Sequence, residues 1–275
     1  LMSEGPEDQL QLTENAQPAI MANAIATLRV LEKEGGIRLA DKADYVAGHS
    51  LGEYTALCAA GAIDLATTAL LLKHRGLAMQ AAVPVGVGAM AALLGADIDK
   101  ARTIAEAAAE GPAPEGGDKW VCTVANDNDP SQVVISGHRG AIERAVALAK
   151  EMGAKRAVLL PVSAPFHCPL MQPAADAMAK ALADARIDAP LVPVVANVTA
   201  SPVGDVDTIR RLLVEQVTGM VRWRESVLAM AETGVERFVE FGGKVLTPMV
   251  KRIAADVDAV SVVTMAEIEA LAKAL

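Results

Sequence analysis

Aromatic side chains are scarce in this sequence: Phe, Trp and Tyr together make up 3% of its 275 residues. Proteins that bind single-stranded nucleic acid stack the bases on aromatic rings, so the scarcity argues against that function. Positive charge is also in deficit, because the net charge is −9. Such a chain has no general attraction for phosphate backbones or anionic lipid. An acidic partner would need a local basic site.

Cysteine is rare as well, and its positions exclude two classes of site. Cys58, Cys122 and Cys168 are widely separated and odd in number. They form neither a CxxC pair nor a Cys/His spacing typical of metal sites. We expect reduced, buried thiols and a cytoplasmic protein without a metal.

Long uninterrupted apolar runs are missing too. The uncharged stretch 76–96 approaches the length of a transmembrane helix, but Gln80, Pro84 and Gly86 interrupt it. It is better explained as the end of a helix, a loop and a strand. Residues 1–4 carry no basic start or apolar core of a signal peptide. No membrane association is expected.

The pattern of apolar segments predicts an α/β fold. Strands alternate with helices over 1–85 and 162–275, which indicates a mostly parallel sheet covered by helices on both faces. Residues 86–161 follow the order β-α-β-β-α-β of ferredoxin-like units, with a loop rich in Gly and Pro at 111–117. We predict a large catalytic domain with an inserted ferredoxin-like α+β subdomain.

The segment Gly48-His49-Ser50-Leu51-Gly52 contains the strongest chemical signal. A short apolar run precedes it and a helical pattern follows it, so Ser50 would lie on a tight strand-to-helix turn of the α/β-hydrolase kind. Glycines permit such a turn. The Leu51 amide would then face a helix N-terminus and stabilise an oxyanion. A turn of small residues that only packs a helix on a sheet is the structural alternative.

A nucleophilic serine needs a base, and the loop 163–169 offers His167 between two prolines. A stiff loop suits a positioned base better than a packing role. His49 adjoins Ser50, but neighbours at a turn usually point apart. His74 fits an exposed helix position, and His138 lies in the insert.

Several ordered motifs together resemble the malonyl-CoA:acyl carrier protein transacylases. The nucleophile motif continues as Glu53-Tyr54, and 13–19, 132–137, 161–171 and 242–247 are similar to further segments of that family. Gly243 stands where the family usually has Pro. The similarity covers nearly the whole chain.

This resemblance implies transfer of a malonyl group from malonyl-CoA to acyl carrier protein through a malonyl ester of Ser50, without a cofactor. His167 would be the base, and the backbone carbonyl of Gln216 would orient it. Arg75 would bind the malonyl carboxylate, since guanidinium matches a carboxylate with paired donors. Phe166 and His49 would line the substrate site, with Phe166 disfavouring a branched acyl group.

Three rival functions remain open at this level. A serine hydrolase would use Ser50 and His167 equally well, but it would not need Arg75 or the insert. An acyltransferase domain of a polyketide synthase is the second, and the C-terminus at Leu275 favours a free-standing, monomeric enzyme. A non-catalytic scaffold is the third.

Two further expectations follow from the resemblance. The family starts with a strand and a glutamine-containing turn that supplies a second oxyanion donor, and neither precedes Leu1. We therefore expect the sheet to lack a strand. For the acidic carrier protein, the candidate docking residues are basic: Lys244, Lys251, Arg252, Lys155 and Arg156.

Overall fold

The structure, a computed structural model, describes residues 1–111 and 119–275. The predicted loop at 111–117 therefore lies, except for Gly111, outside the described residues. The described helices are α1 (Glu7–Leu10), α2 (Thr13–Gly35), α3 (Leu39–Lys42), α4 (Leu51–Ala59), α5 (Leu65–Ala81), α6 (Ile98–Ala109), α7 (Arg139–Glu151), α8 (Gln172–Asp184), α9 (Val206–Thr218), α10 (Trp223–Glu232), α11 (Leu246–Ile253) and α12 (Met265–Ala274). The strands are β1 (Val46–Ala47), β2 (Gly88–Leu94), β3 (Cys122–Asp129), β4 (Gln132–His138), β5 (Arg156–Leu159), β6 (Val194–Ala196), β7 (Ser201–Val203), β8 (Arg237–Phe241) and β9 (Asp258–Val262).

Strands β2 to β5 form one four-stranded antiparallel sheet in the order β3-β4-β2-β5. Helices α6 and α7 pack on one face, because their buried stripes of Ala and Ile recur at helical spacing. The opposite face carries Met90, Ala92 and Val134, and it packs against Phe166 from the segment after β5. The predicted β-α-β-β-α-β order over 86–161 is thus present in the described residues.

The remaining strands form two smaller sheets. β1 pairs with β6 in parallel, β7 adds to β6 antiparallel, and β8 pairs with β9 in parallel. The predicted mostly parallel pairing is present as β1–β6 and β8–β9, but these two pairs lie in separate sheets and β7 adds an antiparallel edge. The predicted strand over 191–198 shrinks to β6, and β7 escaped prediction because Ser201-Pro202-Val203 is short and contains a proline, which suits only an edge strand.

The main core packs α2, α4, α5, α8 and α9 around β1 and β6. Asp64 caps α5 by accepting from the Thr67 backbone N–H at 2.9 Å, as its position before the helix predicts. Gly76 of α5 lets α2 approach closely, because a Cβ there would lie 2.4 Å from the Glu14 Cα. This contact fixes the two helices that carry Gln17 and Arg75.

An apolar groove separates β1 from β8. Its volume is about 560 Å³, and its walls include Val46, Ala47, Phe238 and Val239. Both bordering strands are edges of their sheets in the described part of the chain. Across the described ranges 1–111 and 119–275, no helix combines the length and apolarity needed to cross a membrane.

Candidate active site

The turn between β1 and α4 places Ser50 at the N-terminus of the helix. Ser50 has φ 53° and ψ −106°, a backbone conformation that non-glycine residues rarely adopt. Gly48 is needed for space: a Cβ there would lie 2.0 Å from the Gly52 carbonyl oxygen, whereas a Cβ on Gly52 would meet nothing within 4 Å. The sharp turn was expected to depend on unusual dihedrals at the glycines, but Ser50 itself has the unusual φ.

Asn197 clamps this turn from the end of β6. Its Oδ1 accepts from the Ser50 backbone N–H at 2.7 Å, and its Nδ2 donates to the Gly48 carbonyl at 2.8 Å. Because β1 and β6 are parallel, both residues follow strands that end at the same edge of the sheet. The clamp holds Ser50 in its strained conformation.

His167 lies within hydrogen-bond distance of the Ser50 hydroxyl, with Nε2 2.7 Å from Oγ. Its Nδ1 lies 2.9 Å from the backbone carbonyl of Gln216. That carbonyl belongs to the last turn of α9. Carbonyls in this turn accept no hydrogen bond from within the helix, and they form the negative end of the helix dipole. The arrangement fixes the tautomer in which Nδ1 donates and Nε2 faces Ser50.

The environment keeps the His167 ring neutral. Burial is the main cause, the charge of Arg75 adds to it, and together they lower the pKa of His167 to about 3 although the Gln216 carbonyl opposes the change. A neutral imidazole can accept the serine proton at any physiological pH. His167 itself has φ 57°, so both partners of the hydrogen bond hold unusual backbone conformations.

Arg75 is 1% exposed and reaches the same hydroxyl, donating from Nη2 to Ser50 Oγ at 3.0 Å. It also donates to Gln17 Oε1 at 2.7 Å and to Gln216 Oε1 at 2.9 Å. All three acceptors are neutral. Among residues 1–111 and 119–275, no carboxylate forms an ion pair with Arg75 and its Nε finds no hydrogen-bond partner. The guanidinium is thus a fixed, buried cation beside the nucleophile.

The Gln216 side chain and Glu53 complete the polar network, and neither of these roles was predicted from the sequence. Gln216 Nε2 donates to the Ser50 carbonyl at 3.0 Å and to Glu53 Oε2 at 2.8 Å. Glu53 Oε2 also accepts from the Asn197 backbone N–H at 3.0 Å. Burial raises the pKa of Glu53 to about 7, although these two bonds and the charge of Arg75 oppose the rise.

The other predicted site residues take different positions. Leu51 is the first residue of α4, so its N–H has no acceptor within the helix. Phe166 is half-buried and contacts both the main core and the free face of the antiparallel sheet. His49 points away from the hydroxyl: its Nε2 lies 2.8 Å from Asn128 Oδ1, and burial lowers its pKa.

The missed residues had weak sequence signals. Asn197 follows an apolar strand, where polar residues collect at sheet edges, and Glu53 lies one helical turn after Ser50. Gln17 and Gln216 gave no signal of their own as side chains. No group of three or more His, Cys, Asp or Glu side chains in the described part of the chain could hold a metal ion.

Fold and site together define a serine acyltransferase. The family described as "Acyl transferase domain" matches residues 1–266. A malonyl CoA-acyl carrier protein transacylase of Escherichia coli K12 is 46% identical over 276 residues, covering 100% of this chain and 84% of the relative. That of Bacillus subtilis 168 is 41% identical over 254 residues, covering 92% and 76%. The chain belongs to this family of malonyl CoA-acyl carrier protein transacylases within the acyl transferases.

Solved structures agree with this membership. An acyl-carrier-protein S-malonyltransferase from Bartonella henselae aligns with a TM-score of 0.92 and 52% identity, covering 98% of this chain and 84% of that one. A malonyl-transacylase in complex with its type II PKS acyl-carrier protein aligns with a TM-score of 0.92 and 39% identity, covering 99% and 84%. The α/β architecture of mixed sheets and helices is common to them.

Proposed function

We propose that this protein transfers a malonyl group from malonyl-CoA to the thiol of acyl carrier protein through an ester on Ser50. The observation that carries the proposal is the buried Arg75 guanidinium 3.0 Å from the Ser50 hydroxyl, inside a paired Ser–His site. The names of the relatives and the carrier protein bound to one structural neighbour support it. The transfer requires no cofactor.

The first half-reaction forms the acyl-enzyme. Ser50 Oγ attacks the thioester carbonyl while its proton moves to His167 Nε2, and the carbonyl oxygen becomes an oxyanion near the Leu51 N–H. The tetrahedral intermediate collapses as the C–S bond breaks. His167 returns its proton to the departing coenzyme A thiolate. The carrier-protein thiol then attacks the ester by the same steps in reverse order.

Two helix ends favour the charges that develop in this step. The positive end of α4 lies at Leu51, where the oxyanion forms, and the negative end of α9 lies at the Gln216 carbonyl, which contacts the imidazolium that forms on His167. Each interaction of this kind contributes about 0.3–1 kcal/mol, and up to about 2 kcal/mol in partly buried geometry. A carboxylate is therefore not required beside His167.

Arg75 supplies the preference for a carboxylated acyl group. A malonyl ester on Ser50 would place its free carboxylate within reach of the guanidinium, whose Nε is still without a partner in the described chain. Such charge-assisted, two-donor contacts are about twice as strong as neutral hydrogen bonds. An acetyl group has no carboxylate and therefore forms no such contact with Arg75. Phe166 and His49 would bound the acyl pocket, and the width set by Phe166 would disfavour methylmalonyl.

The finer architecture belongs to the same proposal. We assign 86–161 to a ferredoxin-like subdomain, supported by the strand order β3-β4-β2-β5 and the two helices on one face. Residues 1–85 and 162–275 would form an α/β-hydrolase-like catalytic domain.

Docking of the acidic carrier protein would use exposed cations that lack an internal partner. Lys244 pairs with Glu267 and Arg252 with Asp129, each at 2.8 Å. Lys251 is exposed and forms no ion pair with any described residue. We therefore place the docking contact at Lys251, and Lys155 and Arg156, which are also exposed and form no ion pair with a described residue, are the second candidate. Charge reversal of Lys251 should raise the KM for carrier protein and leave the KM for malonyl-CoA unchanged.

Comparison of malonyl-CoA and acetyl-CoA tests the function itself. In the wild-type protein, labelled malonyl should appear on Ser50 and move to carrier protein when that acceptor is added. In Arg75→Ala, malonyl labelling should fall by about 2 orders of magnitude, which corresponds to loss of a charge-assisted contact of about 3 kcal/mol, while acetyl labelling is retained. Equal losses for the two acyl groups would contradict the proposal, as would malonyl-CoA hydrolysis at the same rate with and without carrier protein.

A further inference from the structure

Two buried charges of opposite sign lie on either side of the Gln216 amide. Arg75 donates to its Oε1 at 2.9 Å, and its Nε2 donates to Glu53 Oε2 at 2.8 Å. Glu53 is 2% exposed. Because Arg75 has no ion pair among the described residues, this glutamate is the carboxylate linked to it most directly. The free site is therefore balanced, with one cation and one anion held apart by a neutral amide.

A carboxylated acyl group disturbs that balance. Its carboxylate adds a second negative charge to a buried site containing a single guanidinium. Two ionised carboxylates in one buried site repel each other strongly. Protonation of one of them removes this repulsion, so one of the two takes up a proton. The acyl carboxylate contacts Arg75 directly and remains ionised. Glu53 reaches Arg75 only through Gln216 and is the group that is neutralised.

We propose that Glu53 is the resident counter-ion of Arg75 and takes up a proton when the carboxylate of the acyl group binds the guanidinium. This inference rests on the proposed function, and it makes Glu53 a positioning residue that couples recognition of a carboxylated substrate to pH. The coupling is absent for acetyl, which brings no charge.

The other groups around Glu53 do not titrate in the relevant range. Burial raises the pKa of Tyr54 and lowers the pKa values of His49 and His167, so all three stay neutral near pH 7. Helix α2 presents the neutral Gln17 to the site, and β1 and β6 contain no titratable residue. The pKa of Glu53 itself, about 7, makes a proton exchange measurable at ordinary pH.

The sign of the effect follows from linkage. Above the pKa of Glu53 the free protein holds an ionised carboxylate and must gain a proton on binding, so affinity for malonyl-CoA falls by up to about tenfold per pH unit. Below that pKa the proton is already present and affinity is constant. The affinity for acetyl-CoA should not fall above the pKa of Glu53. The only pH dependence expected for acetyl-CoA comes from titration of the coenzyme A phosphates, which both ligands share.

Calorimetry in buffers of different ionisation enthalpy measures the proton directly. Ser50→Ala binds but cannot be acylated, so malonyl-CoA and acetyl-CoA titrations of this variant compare binding alone. At pH 8 the malonyl-CoA complex should take up about one proton more than the acetyl-CoA complex, and at pH 6 the difference should be near zero. Ser50→Ala/Glu53→Gln should lose the difference, and between pH 6 and 8 its malonyl-CoA affinity should change only as its acetyl-CoA affinity does.

Glu53→Gln suits this test because an amide oxygen at the Oε2 position can accept from both the Asn197 N–H and Gln216 Nε2. Glu215→Gln is the matched control, since Glu215 is exposed and pairs with Arg211; it should keep the full proton difference. Malonyl-CoA binding without extra proton uptake in Ser50→Ala overturns the inference alone, and so does a difference that survives Glu53→Gln. Absence of malonyl-CoA binding overturns the proposed function and the inference together.

Discussion

The two glycines of the nucleophile turn should respond differently to the same substitution. A Cβ on Gly48 would lie 2.0 Å from the carbonyl oxygen and 2.1 Å from the carbonyl carbon of Gly52, which is well inside the 3.0 Å below which real Cβ contacts essentially never occur. The contacted atoms are backbone, so no side chain can rotate away. A Cβ on Gly52 would meet nothing within 4 Å.

The expected magnitudes follow from these distances. Gly48→Ala must displace the start of α4 by about 1 Å, which costs about 1–3 kcal/mol of stability as overpacking. A shift of that size at a catalytic group lowers the rate about 100-fold. Gly52→Ala adds no clash and improves helix propensity, so its free energy of unfolding should equal or exceed that of the wild type by up to about 1 kcal/mol.

Chemical denaturation gives the two stabilities, and single-turnover acylation with labelled malonyl-CoA gives the rate. Gly52→Ala controls for the general effect of an added methyl group in the same turn. Equal stability losses in the two variants would refute the steric argument. Wild-type acylation by Gly48→Ala would refute the assumed link between the turn and the position of Ser50.

Further outcomes follow from other features of the site. Ser50→Gly should be more stable than Ser50→Ala by about 1–3 kcal/mol in thermal or chemical unfolding, because only glycine relaxes the strain at φ 53°; equal stabilities would mean that no strain is stored there. Gly76→Ala should weaken malonyl binding more than acetyl binding in a KM comparison, since the clash with Glu14 separates α2 from α5 and moves Gln17 away from Arg75. The acylation rate at saturating malonyl-CoA should stay constant between pH 7 and 5, because the pKa of His167 is about 3; a midpoint near pH 6.5 would contradict its burial. Above pH 6.5 the same depressed pKa has no effect on stability, because His167 is neutral in the folded and the unfolded state. As the pH falls from 6.5 toward 3, the unfolded state alone takes up the proton, so the unfolding free energy of the wild type should fall by about 1.4 kcal/mol per pH unit relative to that of His167→Ala.

Ser50 and His167 could be singled out as a candidate pair from sequence because each lies in a distinctive local segment. Ser50 lies between small residues at a strand-to-helix junction, and His167 lies between prolines. Each local pattern indicates a catalytic role without information from distant residues. The structure brings Ser50 and His167 to 2.7 Å although 117 positions separate them. The antiparallel unit was also predictable, since its strands are long enough to show their pattern.

The remaining parts depend on tertiary contacts that leave no local pattern. β1 contains two residues and β6 three, so their pairing could not be read from periodicity. Asn197, Glu53 and the Gln216 side chain are ordinary polar residues in sequence, and only the approach of α4, α9 and the end of β6 makes them partners. The strained dihedral of Ser50 likewise results from the clamp of Asn197, which is far away in the chain.

The orienting acceptor for His167 has a consequence for how this site can change over generations. The acceptor is a peptide oxygen of residue 216, and every amino acid supplies one. Mutation at that codon cannot delete it, so the alignment of the imidazole is protected against single-residue drift in a way that a side-chain acceptor is not. The side-chain amide of the same residue can therefore be selected independently for its hydrogen bonds to Arg75 and Glu53. A substitution scan of position 216 would measure the effect of the side-chain contacts with Arg75 and Glu53, but it would not detect the role of the backbone carbonyl in orienting His167.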